Sequence, residues 1–174
     1  MMSEARQPRF GIIEPGLVRE PLRETFGDYP SMLKTLLSEH FTGNQFDTFS
    51  IVNGEALPEP TAYDGFVVMG SAHGVKDGLP WFDALCEWIG NVVDQRVPLV
   101  GICFGHQAIA QALGGDVGRS SSGWCVGLQR YSVAGQSDGQ SALIAHAFHQ
   151  DQVVESPPGA DTVMSTPLCP HAGF

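Results

Sequence analysis

The stretch Val97-Pro-Leu-Val-Gly-Ile-Cys-Phe-Gly-His-Gln107 decides how the rest of the chain is read. Pro98 to Ile102 is an apolar run of buried-strand length. Phe104 to Leu113 reads as a helix stopped by Gly114-Gly115. Cys103 stands at the junction, flanked by Gly101 and Gly105 in the G-x-nucleophile-x-G pattern of a strand-turn-helix elbow. Such a turn is strained, and glycine lets backbone pass where a Cβ would clash. The pattern lifts the sulfur off a sheet and aims it at the start of a helix. There the positive end of the helix dipole favours thiolate, and the Phe104 amide is placed to hold an oxyanion. The bland alternative is a small buried apolar cysteine.

Outward from that elbow, strands alternate with helices. Arg9 to Glu14 reads as a first strand, ended by Pro15-Gly16, and Leu17 to Gly27 as a charged connection. Pro30 to Phe41 reads as an amphipathic helix with Met32, Leu33, Leu36, Leu37 and Phe41 on one stripe. Phe46 to Val52 is a second strand, and Gly65 to Met69 a third that runs into Gly70-Ser71. Pro80 to Gln95 is a helix with Phe82, Leu85, Ile89, Val92 and Val93 inward. After Gly115 the character turns to short β-like pieces, near Val117, at Cys125 to Val133, around Ala147 and at Thr162 to Ser165, with a turn at Gly135 to Gly139. The alternation predicts an α/β fold, a doubly wound, mostly parallel sheet flanked by helices. Ligands of such sheets bind beyond the carboxyl ends of the strands, where Cys103 and Gly70-Ser71 both fall.

Composition bounds the function. The 174 residues, 43% apolar and 16% charged, suit one globular domain, 1–174. A net charge of −10 without an acidic block argues against nucleic acid or anionic membrane as partner. No apolar run is long enough for a membrane helix, the N-terminus lacks a signal-peptide core, and a cytoplasmic location is expected. Cys86, Cys103, Cys125 and Cys169 are widely spaced without a CxxC pair, as in a reducing compartment. His146-Ala-Phe-His149 with Cys169 and His171 is too weak a pattern to call a zinc site, so no metal is expected. Glu14 reads as a solvated strand end.

Gly-Ile-Cys-Phe-Gly-His-Gln resembles the nucleophile motif of class I glutamine amidotransferases. Val68-Met-Gly-Ser-Ala-His-Gly-Val-Lys-Asp-Gly-Leu-Pro-Trp81 looks like the oxyanion loop of a stand-alone branch similar to the amidotransferase domain of GMP synthase. Gly123-Trp-Cys-Val-Gly127 and His149-Gln-Asp-Gln-Val153 resemble the same branch, so the likeness spans nearly the whole chain in order. It implies a flavodoxin-like fold and a catalytic Cys103 that attacks a glutamine side-chain amide or a γ-glutamyl bond, forming a thioester. It implies an oxyanion hole from Phe104 N–H with Gly70 or Ser71. Gln107, Gly123 and Trp124 fall where the family binds substrate. His149 and Asp151 match a His-x-Asp at the site rim, read first as a turn fixed by side-chain hydrogen bonds. His106, on the same helix, is expected to pack sideways. No cofactor is implied. The partners implied are a small-molecule substrate and, where ammonia is passed on, a synthase that accepts it.

The resemblance also implies a His-Pro-Glu type motif after a further strand. The chain stops at Phe174 and contains no His-x-Glu. The expectation is therefore a C-terminally incomplete domain, lacking its last strand and helix. The alternative is a catalytically inactive binding or regulatory protein of the same fold. Two other readings stay open: a stress-response or peptidase relative, which would bring Glu14 close to the sulfur, and a cysteine-dependent α/β-hydrolase.

Overall fold

Four parallel strands make the first half of the molecule. In the computed structural model, which describes residues 6–41, 43, 45–135 and 142–174, β1 (Arg9–Ile13) is bonded to β2 (Gln45–Phe49) on one side and β3 (Gly65–Val68) on the other. Beyond β3 lies β4 (Leu99–Gly101), giving the order β2-β1-β3-β4. Central strands of such a sheet are covered on both faces, which is why they read as apolar runs. Ile12, Ile13, Phe66 and Val68 are all buried. Residues Met1–Gly105 and His106–Phe174 form two compact units.

In the first unit the helices pack more narrowly than their apolar content suggests. Helix α1 (Leu22–Phe26) occupies part of the expected connection. Helix α2 (Tyr29–Leu37) opens on a capping box, Asp28 accepting from Ser31 N–H at 2.8 Å, with Pro30 in its first turn. Its contact stripe is Tyr29, Leu33 and Leu37, set against Ile12 and Met69. Met32, Leu36 and Phe41, expected on that stripe, are exposed. Helix α3 (Phe82–Asp94) buries Leu85, Trp88, Ile89 and Val92. Trp88 takes the inward place predicted for Val93, since its indole lies edge-on to Phe66 and donates to Pro58 O at 2.7 Å. The expected strand Phe46 to Val52 ends at Phe49, and Ile51–Asn53 is a 3₁₀ turn.

Helix α4 (Phe104–Ala112) leads into the second unit. There β5 (Asp116–Arg119) pairs antiparallel with β8 (Asp151–Glu155). A hairpin of β6 (Cys125–Val133) and β7 (Ala142–His149) carries the short β9 (Met164–Ser165) on the free edge of β6. The expected turn at Gly135 to Gly139 lies partly outside the described residues.

Candidate active site

Cys103 has φ +53°, the left-handed region that a side chain rarely occupies. The neighbouring backbone fixes it there. Gly101 is in register with Val68, Ile102 N–H donates to Val68 O at 2.9 Å, and Gly105 N–H donates to Ile102 O at 3.0 Å. Gly105 lies so close to β3 that an added Cβ would sit 2.1 Å from Val68 O. That approach brings α4 onto the strand and forces the turn between them. The Phe104 ring is buried edge-on to Trp81 and Phe82, so the first residue of α4 is anchored in apolar packing.

Gly70 stands next to the nucleophile candidate, since a Cβ there would lie 3.6 Å from Cys103 Cβ. Ser71 spends its hydroxyl on the loop, donating to Pro15 O at 3.2 Å and accepting from His73 N–H at 3.1 Å. Ser71 therefore has its amide, not its oxygen, to offer an oxyanion. Cys103 is exposed as a residue. Burial around its sulfur nonetheless raises the thiol above the ordinary value, and the Phe104 N–H bonded to it pulls less strongly the other way. The expectation from the helix start is a favoured thiolate; desolvation outweighs it.

In the second unit Gln107, His149 and Asp151 meet at one atom. Gln107 is buried and donates through Nε2 to Asp151 O at 2.8 Å. His149 Nδ1 is 3.1 Å from the same carbonyl, which requires the proton on Nδ1. The Asp151 carboxylate lies 3.9 Å from Arg119 Nε, its register partner on β5. The His149 ring thus bonds across the turn as expected, whereas Asp151 takes part through its backbone carbonyl and not its side chain. Gly123 N–H donates to Ser120 O at 3.0 Å. Trp124 is exposed, with its ring 5.3 Å from that of Phe148, a neighbour that no sequence signal singles out. His106 packs sideways as expected, bonded to His171 O at 3.0 Å and against the Phe174 ring, and burial lowers its pKa. The His171 Nδ1 is occupied by the hydroxyls of Ser156 and Thr162, each at 2.8 Å.

Glu14 departs from expectation. It is buried, and Ser50 donates its hydroxyl to Glu14 Oε2 at 2.6 Å. The reason is position: β1 is flanked on both sides, so its carboxyl end is covered as well. Cys86 is a half-buried helix cysteine whose thiol is pushed up to about 11, mainly by burial. Among the described residues, no three metal-ligating side chains converge, and no helix is long and apolar enough to cross a membrane.

Residues 36–169 match the family model for glutamine amidotransferase class-I. The chain belongs to that family. Gamma-glutamyl peptidase 3 of Arabidopsis thaliana is 30% identical over 176 residues, covering 94% of this chain and 70% of the relative. The glutamine-hydrolysing GMP synthase of Psychrobacter arcticus is 38% identical over 88 residues, 47% of this chain and 16% of the synthase. The solved glutamine amidotransferase of Methylobacillus flagellatus superposes with a TM-score of 0.73 at 25% identity, over 96% of this chain and 64% of that one. The chain spans 59% to 70% of the length of four plant γ-glutamyl peptidases that it matches. The fold is the flavodoxin-like class I amidotransferase fold, with a parallel four-stranded sheet flanked by helices.

Proposed function

We propose that Cys103 is the nucleophile of a glutamine-amide or γ-glutamyl hydrolase. One observation carries this reading: a cysteine at φ +53° between β4 and α4, with Phe104 N–H on its sulfur and Gly70 alongside. The sulfur attacks the side-chain carbonyl carbon of the γ-glutamyl group. The carbonyl π pair moves to oxygen, which Phe104 N–H and an amide of Gly70 or Ser71 hold; each such donor is worth about 3 kcal/mol in the transition state. The oxyanion's pair then re-forms the carbonyl, the C–N bond breaks, and the amine or ammonia leaves with the proton given up by the thiol; water cleaves the thioester to glutamate and returns a proton to the sulfur. On the family's pattern Gln107 and the Gly123-Trp124 backbone bind the amino-acid end of the substrate, with His149 and Asp151 as rim residues. Where ammonia is the useful product, a synthase consumes it. The plant peptidases support the γ-glutamyl bond as the target, and the GMP synthase relative supports glutamine.

A second reading has an observation of its own. Burial around the sulfur raises the Cys103 thiol above its ordinary value, away from the reactive thiolate. A binding or regulatory protein of this fold needs no base. Mass spectrometry after incubation with diazo-oxo-norleucine, a glutamine-derived electrophile, separates the two. An adduct on Cys103 supports hydrolysis; an unmodified Cys103 under conditions where iodoacetamide labels it supports binding alone.

A further inference from the structure

Gly16 is buried where a side chain has no room. Its backbone is not in the left-handed region, so conformation alone does not call for glycine. Yet a Cβ there would lie 2.4 Å from Ser71 Oγ, 2.8 Å from Ser71 Cβ and 2.9 Å from Ser71 Cα. Turning the Ser71 hydroxyl aside relieves the first contact and leaves the other two. The two segments leave the sheet side by side. Ile13 is in register with Val68, and Met69 N–H donates to Ile13 O at 2.9 Å. Just beyond, Ser71 Oγ donates to Pro15 O at 3.2 Å and accepts from His73 N–H at 3.1 Å. The β1 side of this contact is itself held by the end of β2. Glu14 N–H donates to Phe49 O at 2.9 Å, and the Ser50 hydroxyl donates to the buried Glu14 carboxylate at 2.6 Å. Glu14-Pro15-Gly16 is therefore a fixed ledge on which Ser71 rests. One residue earlier, Gly70 faces Cys103, its Cβ position 3.6 Å from Cys103 Cβ.

Taking Cys103 as the nucleophile, on which this rests, we propose that Glu14-Pro15-Gly16 is a positioning element for the oxyanion loop, and that Gly16 sets how near the loop stands to the sulfur. An amide stabilises an oxyanion only when it is already aimed at the place where the charge develops, and a misplacement of about 1 Å can cost on the order of 100-fold in rate. The Ser71 hydroxyl acts on the loop and not on the substrate. By tying the loop to Pro15 O it keeps the amides of Gly70 and Ser71 beside Cys103 before any substrate binds. Gly16→Ala would drive Ser71 Cβ and Cα away by about half an ångström, since ordinary contact begins near 3.4 Å. Ser71→Ala would cut the tie to Pro15 O while leaving every backbone amide in the chain.

Two reactions of the same sulfur test this. With p-nitrophenyl acetate the thiolate adds to the carbonyl carbon, the π pair moves to oxygen and back, and p-nitrophenolate leaves with the ester C–O pair; the thiol's proton passes to the buffer. With iodoacetamide the thiolate displaces iodide at carbon and no oxyanion forms. Dividing the first rate by the second at one pH, each corrected for a Cys103→Ser chain and compared with glutathione, isolates the oxyanion donors from the state of the thiol. The parent's ratio should exceed that of glutathione by about a hundredfold or more. Gly16→Ala should lower it about 10- to 100-fold and Ser71→Ala about tenfold, with alkylation of Cys103 holding its parent rate. Should Gly16→Ala fail to fold, Ser71→Ala, which removes one oxygen, carries the test. A parent ratio no higher than that of glutathione overturns the nucleophile reading and this inference together. A raised parent ratio that the folded variants keep overturns this inference alone. Variants whose alkylation slows in step with acylation have lost the elbow and not the aim of the loop, and they overturn it too.

Discussion

Gly105→Ala should cripple the elbow from a distance of two residues. The new Cβ would sit 2.1 Å from Val68 O, 2.7 Å from its carbonyl carbon and 3.0 Å from its Cβ. Ordinary contact begins near 3.4 Å, so helix and strand would have to part by about 1.3 Å. The obstacle is backbone in a paired strand and no rotamer relieves it. Overpacking of this kind costs about 1–3 kcal/mol, and losing the Ile102–Val68 hydrogen bond adds about 1 kcal/mol. For a chain of this size each kcal/mol moves the midpoint by about 2–4 °C, so thermal melting should fall by roughly 4–16 °C. Gly90→Ala is the control. Gly90 lies within α3 with nothing within 4 Å of the place a methyl would take, so alanine there should stabilise by up to about 1 kcal/mol. Circular dichroism melts of both variants, with iodoacetamide labelling of Cys103, read the outcome. A Gly105→Ala protein that melts like the parent would refute the close approach of α4 to β3 on which the elbow depends.

Three further outcomes follow from the same geometry. Leu85→Ala, which empties a fully buried site on α3, should cost about 2–5 kcal/mol in urea unfolding. Asp28→Ala should cost about 1 kcal/mol near neutral pH by removing the α2 cap. Ser31 N–H, then its hydroxyl, hold the Asp28 carboxyl below the usual range; the cap's contribution is therefore full above that range and vanishes as pH falls through the lowered value. Melts of parent and variant should converge in acid, and a gap that persists there would contradict the assignment. Cys86, with its thiol pushed up to about 11, should label more slowly than the exposed Cys103 at pH 8, as peptide mapping would show.

The elbow was legible because several local signals agreed. An apolar run, two glycines spaced around a cysteine and a helix stop all point to one backbone geometry, and Cys103 adopts it. The central strands β1 and β3 were legible for the same reason, since burial on both faces leaves an apolar run, whereas the apolar run of β4 forms an edge strand with Val100 and Ile102 exposed. What sequence did not disclose depends on neighbours. The α2 stripe narrowed to Tyr29, Leu33 and Leu37 because these are the residues that meet Ile12, Phe46, Val67 and Met69. Strand β8, Asp151–Glu155, is polar in three of five positions and pairs with β5 alone, so no alternation marked it. Glu14 looked like a solvated end because nothing in its own stretch says that β1 is central. The exposed aromatic pair Trp124–Phe148 joins residues 24 positions apart, and only the hairpin register brings them together.

Positioning and activation of Cys103 are separate properties of this chain. A side chain in the left-handed region costs about 1–3 kcal/mol and persists only where the surroundings impose it. The β3–β4 register, the Gly105 approach and the anchored Phe104 ring all impose it, so the sulfur is held in place without substrate. The thiol itself is raised, not lowered, so the chain positions a sulfur that is not poised as a thiolate. Reactivity must then depend on removal of the proton. The rate of Cys103 alkylation by iodoacetamide should still be climbing as pH passes about 8.5, the ordinary thiol value, because thiolate is the reacting form. A proton acceptor beside the sulfur, such as the histidine of the family's His-x-Glu, would move that profile to lower pH and raise the neutral rate together. A plateau already reached at pH 7 in the 174-residue chain would mean that Phe104 N–H and the start of α4 outweigh desolvation, and that positioning and activation of this sulfur are one property after all.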